Sequence, residues 1–155
     1  LSLDEMNKYL TPDIRKAIAK QGLSVHEGIT LASVVEREVS SDEDRATVAQ
    51  VFYKRLKEDI PLGADATFYY AAAITGEKAS PELDNPYNTR MYKGLPPGPI
   101  SNVSKESLEA IANPATTDYL FFVSGDDGVT YFTKTQEEHE AATEKYCNEN
   151  CKLPE

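Results

Sequence analysis

A short acidic segment at the end of an apolar run is the part of the sequence best suited to chemistry. Glu36 and Glu38 stand in the stretch LASVVERE, residues 31–38, where small or apolar side chains lie one helical turn from Glu36 on both sides. Desolvation disfavours a charged carboxyl group, and the negative end of a helix adds to that effect. We therefore predict a raised pKa for Glu36, as a general acid requires. Solvated glutamates paired with Arg37 or Lys54 are the alternative.

A polar, proline-rich tract could wall a cleft around that acid. The stretch YNTRMYKGLPPGPISN, residues 87–102, favours a fixed extended turn, since its prolines and glycines disfavour a helix or a central strand. Its first residues, Tyr87, Asn88 and Thr89, could hydrogen-bond a sugar-like ligand, although an Asx-type turn explains them equally well. The residues predicted to share one cleft with Glu36 are Tyr87, Asn88, Ser101 and Asn102.

Other catalytic chemistries have little support in the sequence. The two histidines, His26 and His139, stand in no metal-binding motif, and no G-x-S-x-G elbow marks a serine nucleophile. We therefore expect acid catalysis with no cofactor and no metal. The two cysteines, Cys147 and Cys151, are either ordinary thiols or a disulfide that closes a very short loop.

Length and charge limit the remaining classes of protein. A chain of 155 residues is long enough to bury one core without metals or other staples, so we expect a single domain. The 26 acidic and 16 basic residues give a formal net charge of −10, which opposes binding to nucleic acid phosphates. Because of this charge, we expect no nucleic acid partner. In addition, no apolar stretch of the sequence approaches the length of a membrane span.

Capping residues and apolar spacing predict mainly helices, with one late hairpin. The predicted helices span about 12–21, 24–39, 41–56, 65–74, 105–112 and 135–147. Ser24 and Glu27 are the predicted capping box of the second helix, and Asp65 is the predicted cap of the fourth. Two runs rich in aromatic and β-branched residues, 119–123 and 129–132, flank the turn Gly-Asp-Asp-Gly and predict an antiparallel hairpin. The predicted fold class is α+β, mainly helical, with four or five helices around one core and a C-terminal β-hairpin.

Several of these segments also occur together in one order. They are LASVVERE, VAQVFYKRL at 48–56, Asp65-Ala-Thr67, PYNT at 86–89, GLPPGPISN at 94–102, NPATTDYLFFV at 113–123, and the pair Glu138-His139. Together they resemble the MltG/YceG-like endolytic murein transglycosylases over about residues 23–146. The resemblance implies a YceG-like catalytic domain over residues 1–155. It also implies cleavage of nascent peptidoglycan strands between N-acetylmuramic acid and N-acetylglucosamine, ending in a 1,6-anhydro sugar.

The resemblance also implies roles for individual residues. The family's catalytic glutamate matches the first acid of the E-[KR]-E pattern, here Glu36, which would serve as acid and then as base. The residues with implied supporting or substrate-binding roles are Glu38, Asp65, Thr67, Tyr87, Asn88, Thr89, Ser101 and Asn102. The chain departs from the family pattern at residues 63–66, Val39 and Val103, which touch the inferred binding rim and leave the acid in place.

Two other functions remain open from the sequence. A second carboxylate, Asp65 or Glu38, would allow a muramidase-type hydrolase. A catalytically inactive glycan-binding module of a cell-wall assembly complex is the other alternative. For the enzyme, the resemblance implies peptidoglycan strands as substrate and cell-wall synthases as candidate partners. It also implies a full-length protein anchored to the outer face of the cytoplasmic membrane by an N-terminal helix and followed by a LysM-like subdomain, both outside this chain.

Overall fold

The computed structural model describes residues 2–39 and 41–152. Within these residues, six helices are followed by a β-hairpin and then by a seventh helix. The elements are α1 Leu3–Tyr9, α2 Pro12–Lys20, α3 Val25–Glu38, α4 Asp42–Lys57, α5 Asp65–Thr75, α6 Lys105–Ala112, β1 Phe121–Ser124, β2 Thr130–Thr133 and α7 Gln136–Tyr146. This confirms the α+β class and the hairpin. All six predicted helix ranges correspond to helices, but the described residues contain seven, so the expected four or five helices around the core were too few. In that part of the chain, no helix has the length and apolar character needed to cross a membrane.

Local capping explains where most helices begin. Ser24 and Glu27 form a capping box at the start of α3, as the sequence predicts, and Ser104 caps α6. Ser2 and Glu5 form the same box at α1, a helix that the sequence analysis missed. Asp65 was predicted to cap α5 but is instead its first helical residue, because Ala64 occupies the cap position. The Asp65 side chain is therefore not engaged in capping.

Helix α3 lies at the centre of the fold and packs against α2, α4, α5 and α6. Its middle turns are fully buried, and the aromatic ring of Phe52 from α4 lies in the same core cluster. Helix α2 approaches it closely, because a Cβ atom at Gly28 would lie 2.7 Å from Cγ2 of Ile18. The last turn of α3, which carries Glu36 and Glu38, is therefore part of a tightly packed element.

The hairpin packs onto the helical core through aromatic rings and one arginine. Its antiparallel register pairs Phe121 with Thr133, and the ring of Phe122 lies 5.7 Å from that of Phe52. Arg55 from α4 donates a hydrogen bond to the strand-side carbonyl of Leu120 and lies 5.0 Å from the Phe121 ring. The hairpin base is thus fixed to the end of α4.

The C-terminal turn is closed by a disulfide and holds the tip of the hairpin. Cys147 and Cys151 are bonded, which decides between the two alternatives left open by the sequence. The carboxylate of Asp126 in the hairpin turn accepts hydrogen bonds from the backbone amides of residues 148–150. Burial in this turn is slight, and those amides lower the pKa of Asp126.

Candidate active site

Glu36 has its carboxylate bound by the N-terminus of α6. Its Oε2 accepts hydrogen bonds from the Ser104 backbone N–H at 3.1 Å, the Ser104 hydroxyl at 2.5 Å and the Ser107 hydroxyl at 2.5 Å. Burial alone would raise the pKa of Glu36, but these hydrogen bonds outweigh it and hold the pKa below its usual value. The predicted raised pKa was therefore wrong. A partner 68 residues away leaves no local signal in the sequence.

Glu38, the last residue of α3, has the opposite environment. Its side chain keeps some contact with solvent, but its carboxyl group is densely surrounded by protein atoms. Burial, aided by the negative charge of Asp65, raises the pKa of Glu38 to about 7 against the opposing charges of Arg90, Arg55 and Arg37. Within residues 2–39 and 41–152, no group donates a hydrogen bond to this carboxyl. Glu38 therefore has the protonation equilibrium expected of a general acid near neutral pH.

Asp65 and Arg90 form an ion pair close to Glu38. Arg90 donates from Nε to Oδ1 of Asp65, at the start of α5, and the two side chains are 44% and 42% exposed. Asp65 raises the pKa of Glu38 and Arg90 lowers it, so both charges act on the same carboxyl group. We call Glu38, Asp65 and Arg90 the Glu38 cluster. Sequence reasoning missed Arg90, although it directly follows the PYNT segment.

Thr67 and Thr89 hold the two segments of the Glu38 cluster together. Both side chains are buried, and their hydroxyl oxygens lie 2.9 Å apart. Thr89 also accepts a hydrogen bond from the backbone N–H of Ala64 at 3.0 Å, and its own N–H donates to Thr67 Oγ1. These bonds join the start of α5 to the segment that carries Arg90. Both threonines thus position Asp65 and Arg90 from the interior.

Asn88 is fully buried and organises the turn before Arg90. Its amide nitrogen donates to the carbonyls of Pro81 and Leu83 at 2.9 Å, and its oxygen accepts from the Arg90 N–H at 3.0 Å. This is the Asx-type alternative, because a side-chain oxygen bonds the backbone two residues on. Neither Asn88 nor Thr89 faces solvent, so of the two alternatives left open by the sequence the structure shows the Asx-type turn.

The proline-rich loop lies on the Glu36 side of α3. The Ile100 N–H donates to the Ser33 hydroxyl, and the Ser101 hydroxyl donates to the Ser33 carbonyl, both at 3.0 Å. Ser33 precedes Glu36 by one helical turn. Ser101 is thus engaged with backbone, whereas Asn102 is exposed. The loop and the start of α6 together fix one face of α3.

Tyr87 packs into the interior side of the same loop. Its ring centroid lies 4.9 Å from that of Tyr70. Its hydroxyl oxygen lies close to Gly98, where an added Cβ atom would be 3.3 Å away from it. Nearby, a cavity of about 490 Å³ opens between the start of α3 and the loop, with His26, Thr30 and Pro97 in its lining. A second cavity of about 560 Å³ lies against α4. Neither of these two cavities includes Glu36 or Glu38 in its lining.

The chain is similar to known proteins in both sequence and fold. The model of the YceG-like family matches residues 2–145. The chain is 41% identical over 147 residues to the endolytic murein transglycosylase of Bacillus subtilis strain 168, covering 93% of the chain and 41% of that protein. It is 34% identical over 155 residues to the endolytic murein transglycosylase of Streptococcus pneumoniae serotype 2, covering 94% of the chain and 28% of that protein.

The fold is similar to that of a crystal structure of a yceG-like protein from Listeria monocytogenes. The TM-score is 0.75 at 42% sequence identity, over 88% of this chain and 44% of that one. The chain thus spans less than half the length of each of these relatives. The family match extends over nearly the whole chain and includes every residue of the Glu38 cluster. This chain therefore belongs to the YceG-like family.

Proposed function

We propose that the chain is the catalytic domain of an endolytic peptidoglycan transglycosylase in which Glu38 is the catalytic acid. The observation that carries the proposal is the pKa of about 7 at Glu38, beside the ion pair of Asp65 and Arg90. The substrate is proposed from the names of the relatives in Bacillus and Streptococcus. Residues 1–155 would form a single catalytic unit of a longer protein.

The reaction needs one carboxyl group in two roles. Glu38 first donates its proton to the glycosidic oxygen, and the bond from C1 of the muramoyl residue to that oxygen breaks. The Glu38 carboxylate then takes the proton of the C6 hydroxyl, whose oxygen forms the new bond to C1. Water is not consumed, the 1,6-anhydro end is formed, and Glu38 regains its proton.

Asp65 suits a supporting role in that reaction. Positive charge develops on the sugar ring as the C1–O bond breaks, and a nearby carboxylate stabilises that charge. Asp65 is partly exposed, and its charge already acts on Glu38. Arg90 holds Asp65 in place through Nε. If Asp65 instead directed a water molecule to C1, the chain would act as a muramidase-type hydrolase.

Glu36, which the resemblance marks as the acid, is less suited to donate a proton. Three hydrogen bonds to Oε2 favour its ionised form and lower its pKa. They also tie α3 to the N-terminus of α6, where a negative charge is favourable. We propose that Glu36 anchors α6, and that the acid is Glu38. The assignment to Glu36 stays a prediction that the Gln variants can test.

The proposed substrate also indicates on which side of the cytoplasmic membrane the enzyme acts. Peptidoglycan strands lie outside the cytoplasmic membrane, so the site must act there, and the anchor and synthase partners expected from the resemblance would keep it close to newly made strands. The disulfide between Cys147 and Cys151 accords with an oxidising compartment.

Product mass tests the reaction type directly. Purified glycan strands are incubated with this chain and, separately, with the full-length protein, and the new ends are analysed by mass spectrometry. A transglycosylase gives anhydro ends that are one water lighter than reducing ends. Reducing ends would favour the hydrolase, and strand binding without any cleavage by either protein would favour the glycan-binding module.

A further inference from the structure

An aromatic side chain stands exposed beside the Glu38 cluster. Tyr69 is 42% exposed and follows Asp65 by four residues on α5, so the two side chains are neighbours on one face of the helix. Its ring centroid lies 4.5 Å from that of Phe68, which is buried in the core. The Tyr69 ring is therefore supported from within the protein while much of its surface faces solvent.

Arg90 presents a cation at the same place. Its backbone is fixed by the bond to Asn88 Oδ1, and its guanidinium is bound through Nε to Asp65. In the part of the chain that the structure describes, the two terminal nitrogens of Arg90 have no hydrogen-bond acceptor. The side chain is 44% exposed. A held guanidinium with two donors available suits a carboxylate ligand.

We infer that Tyr69 and Arg90 form a muramoyl subsite next to Glu38. The Tyr69 ring stacks on the apolar face of a pyranose, and the terminal nitrogens of Arg90 bind a carboxylate that the muramoyl residue carries, on its lactyl arm or on the attached peptide. The inference rests on the proposed function and adds substrate recognition to it. N-acetylglucosamine has no carboxylate, so the cation selects the muramoyl residue for this position.

Charge supports this assignment. The chain has a formal net charge of −10, which disfavours the approach of an acidic glycan. Arg90 offsets that repulsion at the site of cleavage. An exposed ion pair such as Asp65–Arg90 adds little to folding stability. A purely structural role would therefore leave both stability and glycan binding nearly unchanged in Arg90→Gln.

Binding measured in an inactive protein tests the subsite. The full-length protein with Glu38→Gln is titrated calorimetrically with peptide-stripped strands, peptide-bearing strands, and methyl-esterified samples of both. On this background, Tyr69→Ala is expected to raise Kd roughly fivefold to tenfold and Tyr69→Phe to leave it unchanged, because the stacking ring is kept. Tyr9→Ala, which removes a partly exposed tyrosine from α1, is the matched control and should have no effect.

Binding measurements with Arg90→Gln identify which carboxylate is bound. Arg90→Gln is expected to weaken binding about tenfold on strands with free carboxylates and to have no effect on esterified strands. Weakening on peptide-stripped strands assigns the lactyl carboxylate, and weakening on peptide-bearing strands alone assigns the peptide.

Three results would overturn the inference: absence of strand binding by the parent, Kd values for Tyr69→Ala and Arg90→Gln within about twofold of the parent, or an equal Arg90 effect on esterified strands. Cleavage plays no part in this readout, so failure of the proposed reaction would be seen separately, in the product assay with wild-type protein.

Discussion

The raised pKa of Glu38 makes folding stability depend on pH in a way that one substitution should remove. The pKa of the carboxyl group is its ordinary value of 4.5 in the unfolded chain and about 7 in the folded protein. Each pKa unit corresponds to about 1.4 kcal/mol, so ionising Glu38 in the folded state costs roughly 3 kcal/mol. This contribution to stability is present below the unfolded pKa, declines as the pH rises toward 7, and is lost above it.

Glu38→Gln should therefore stabilise the protein at alkaline pH. The amide is neutral at every pH and avoids the ionisation cost. We expect the variant to gain up to roughly 3 kcal/mol over wild type near pH 8, relative to the difference near pH 4. The assay is urea unfolding of both proteins at several pH values, with the slopes compared to confirm the same transition.

Glu36→Gln is a control, because its effect on stability should depend on pH in the opposite direction. The pKa of Glu36 is lowered, so its contribution to stability is present above the unfolded pKa and is lost as the pH falls through the folded pKa. This variant should be less stable than wild type near neutral pH, and the difference should shrink in acid. If Glu38→Gln instead gave a pH-independent difference, or destabilised the protein at alkaline pH, Glu38 would be ionised in the fold and unsuited to be the acid.

Three further substitutions test the packing around the site. Ser104→Ala should lower the free energy of unfolding by about 2 kcal/mol, because it removes a helix cap and a hydrogen bond to the Glu36 carboxylate. Urea unfolding measures this, and Ser104→Thr should retain much of the stability. Thr89→Val leaves a buried N–H without its acceptor and should cost about 1–3 kcal/mol, whereas Thr89→Ser should not. Gly28→Ala should cost about 1–3 kcal/mol by overpacking Ile18, and a double-mutant cycle with Ile18→Ala should show coupling; strict additivity would contradict the close contact.

The parts of the fold that could be predicted have local signals. The Ser24–Glu27 capping box and the Gly-Asp-Asp-Gly turn act within a few residues, and both α3 and the hairpin follow them. The box formed by Ser2 and Glu5 has the same local pattern, and α1, which was not predicted, begins there. The Asp65 cap failed because a residue can cap a helix or lie inside it with the same sequence pattern.

The site could be predicted only as a set of segments. Asp65 and the proline-rich loop do lie against α3, the helix that carries Glu36 and Glu38. The division of roles could not be predicted, because it depends on contacts between distant residues: Ser104 binds Glu36, and no described residue binds Glu38. For the same reason, Asn88 could be read either as a ligand-binding group or as the buried turn residue that it is.

Strand cleavage by the two glutamine variants decides whether Glu38 supplies the proton. Wild-type protein, Glu38→Gln and Glu36→Gln are incubated with purified glycan strands, anhydro ends are counted by mass spectrometry, and unfolding curves exclude misfolded protein. We expect Glu38→Gln to slow cleavage by about 100-fold or more while strand binding persists, and folded Glu36→Gln to keep most of its activity. Cleavage by Glu38→Gln at the wild-type rate, together with loss of cleavage in folded Glu36→Gln, would contradict this expectation and return the role of acid to Glu36.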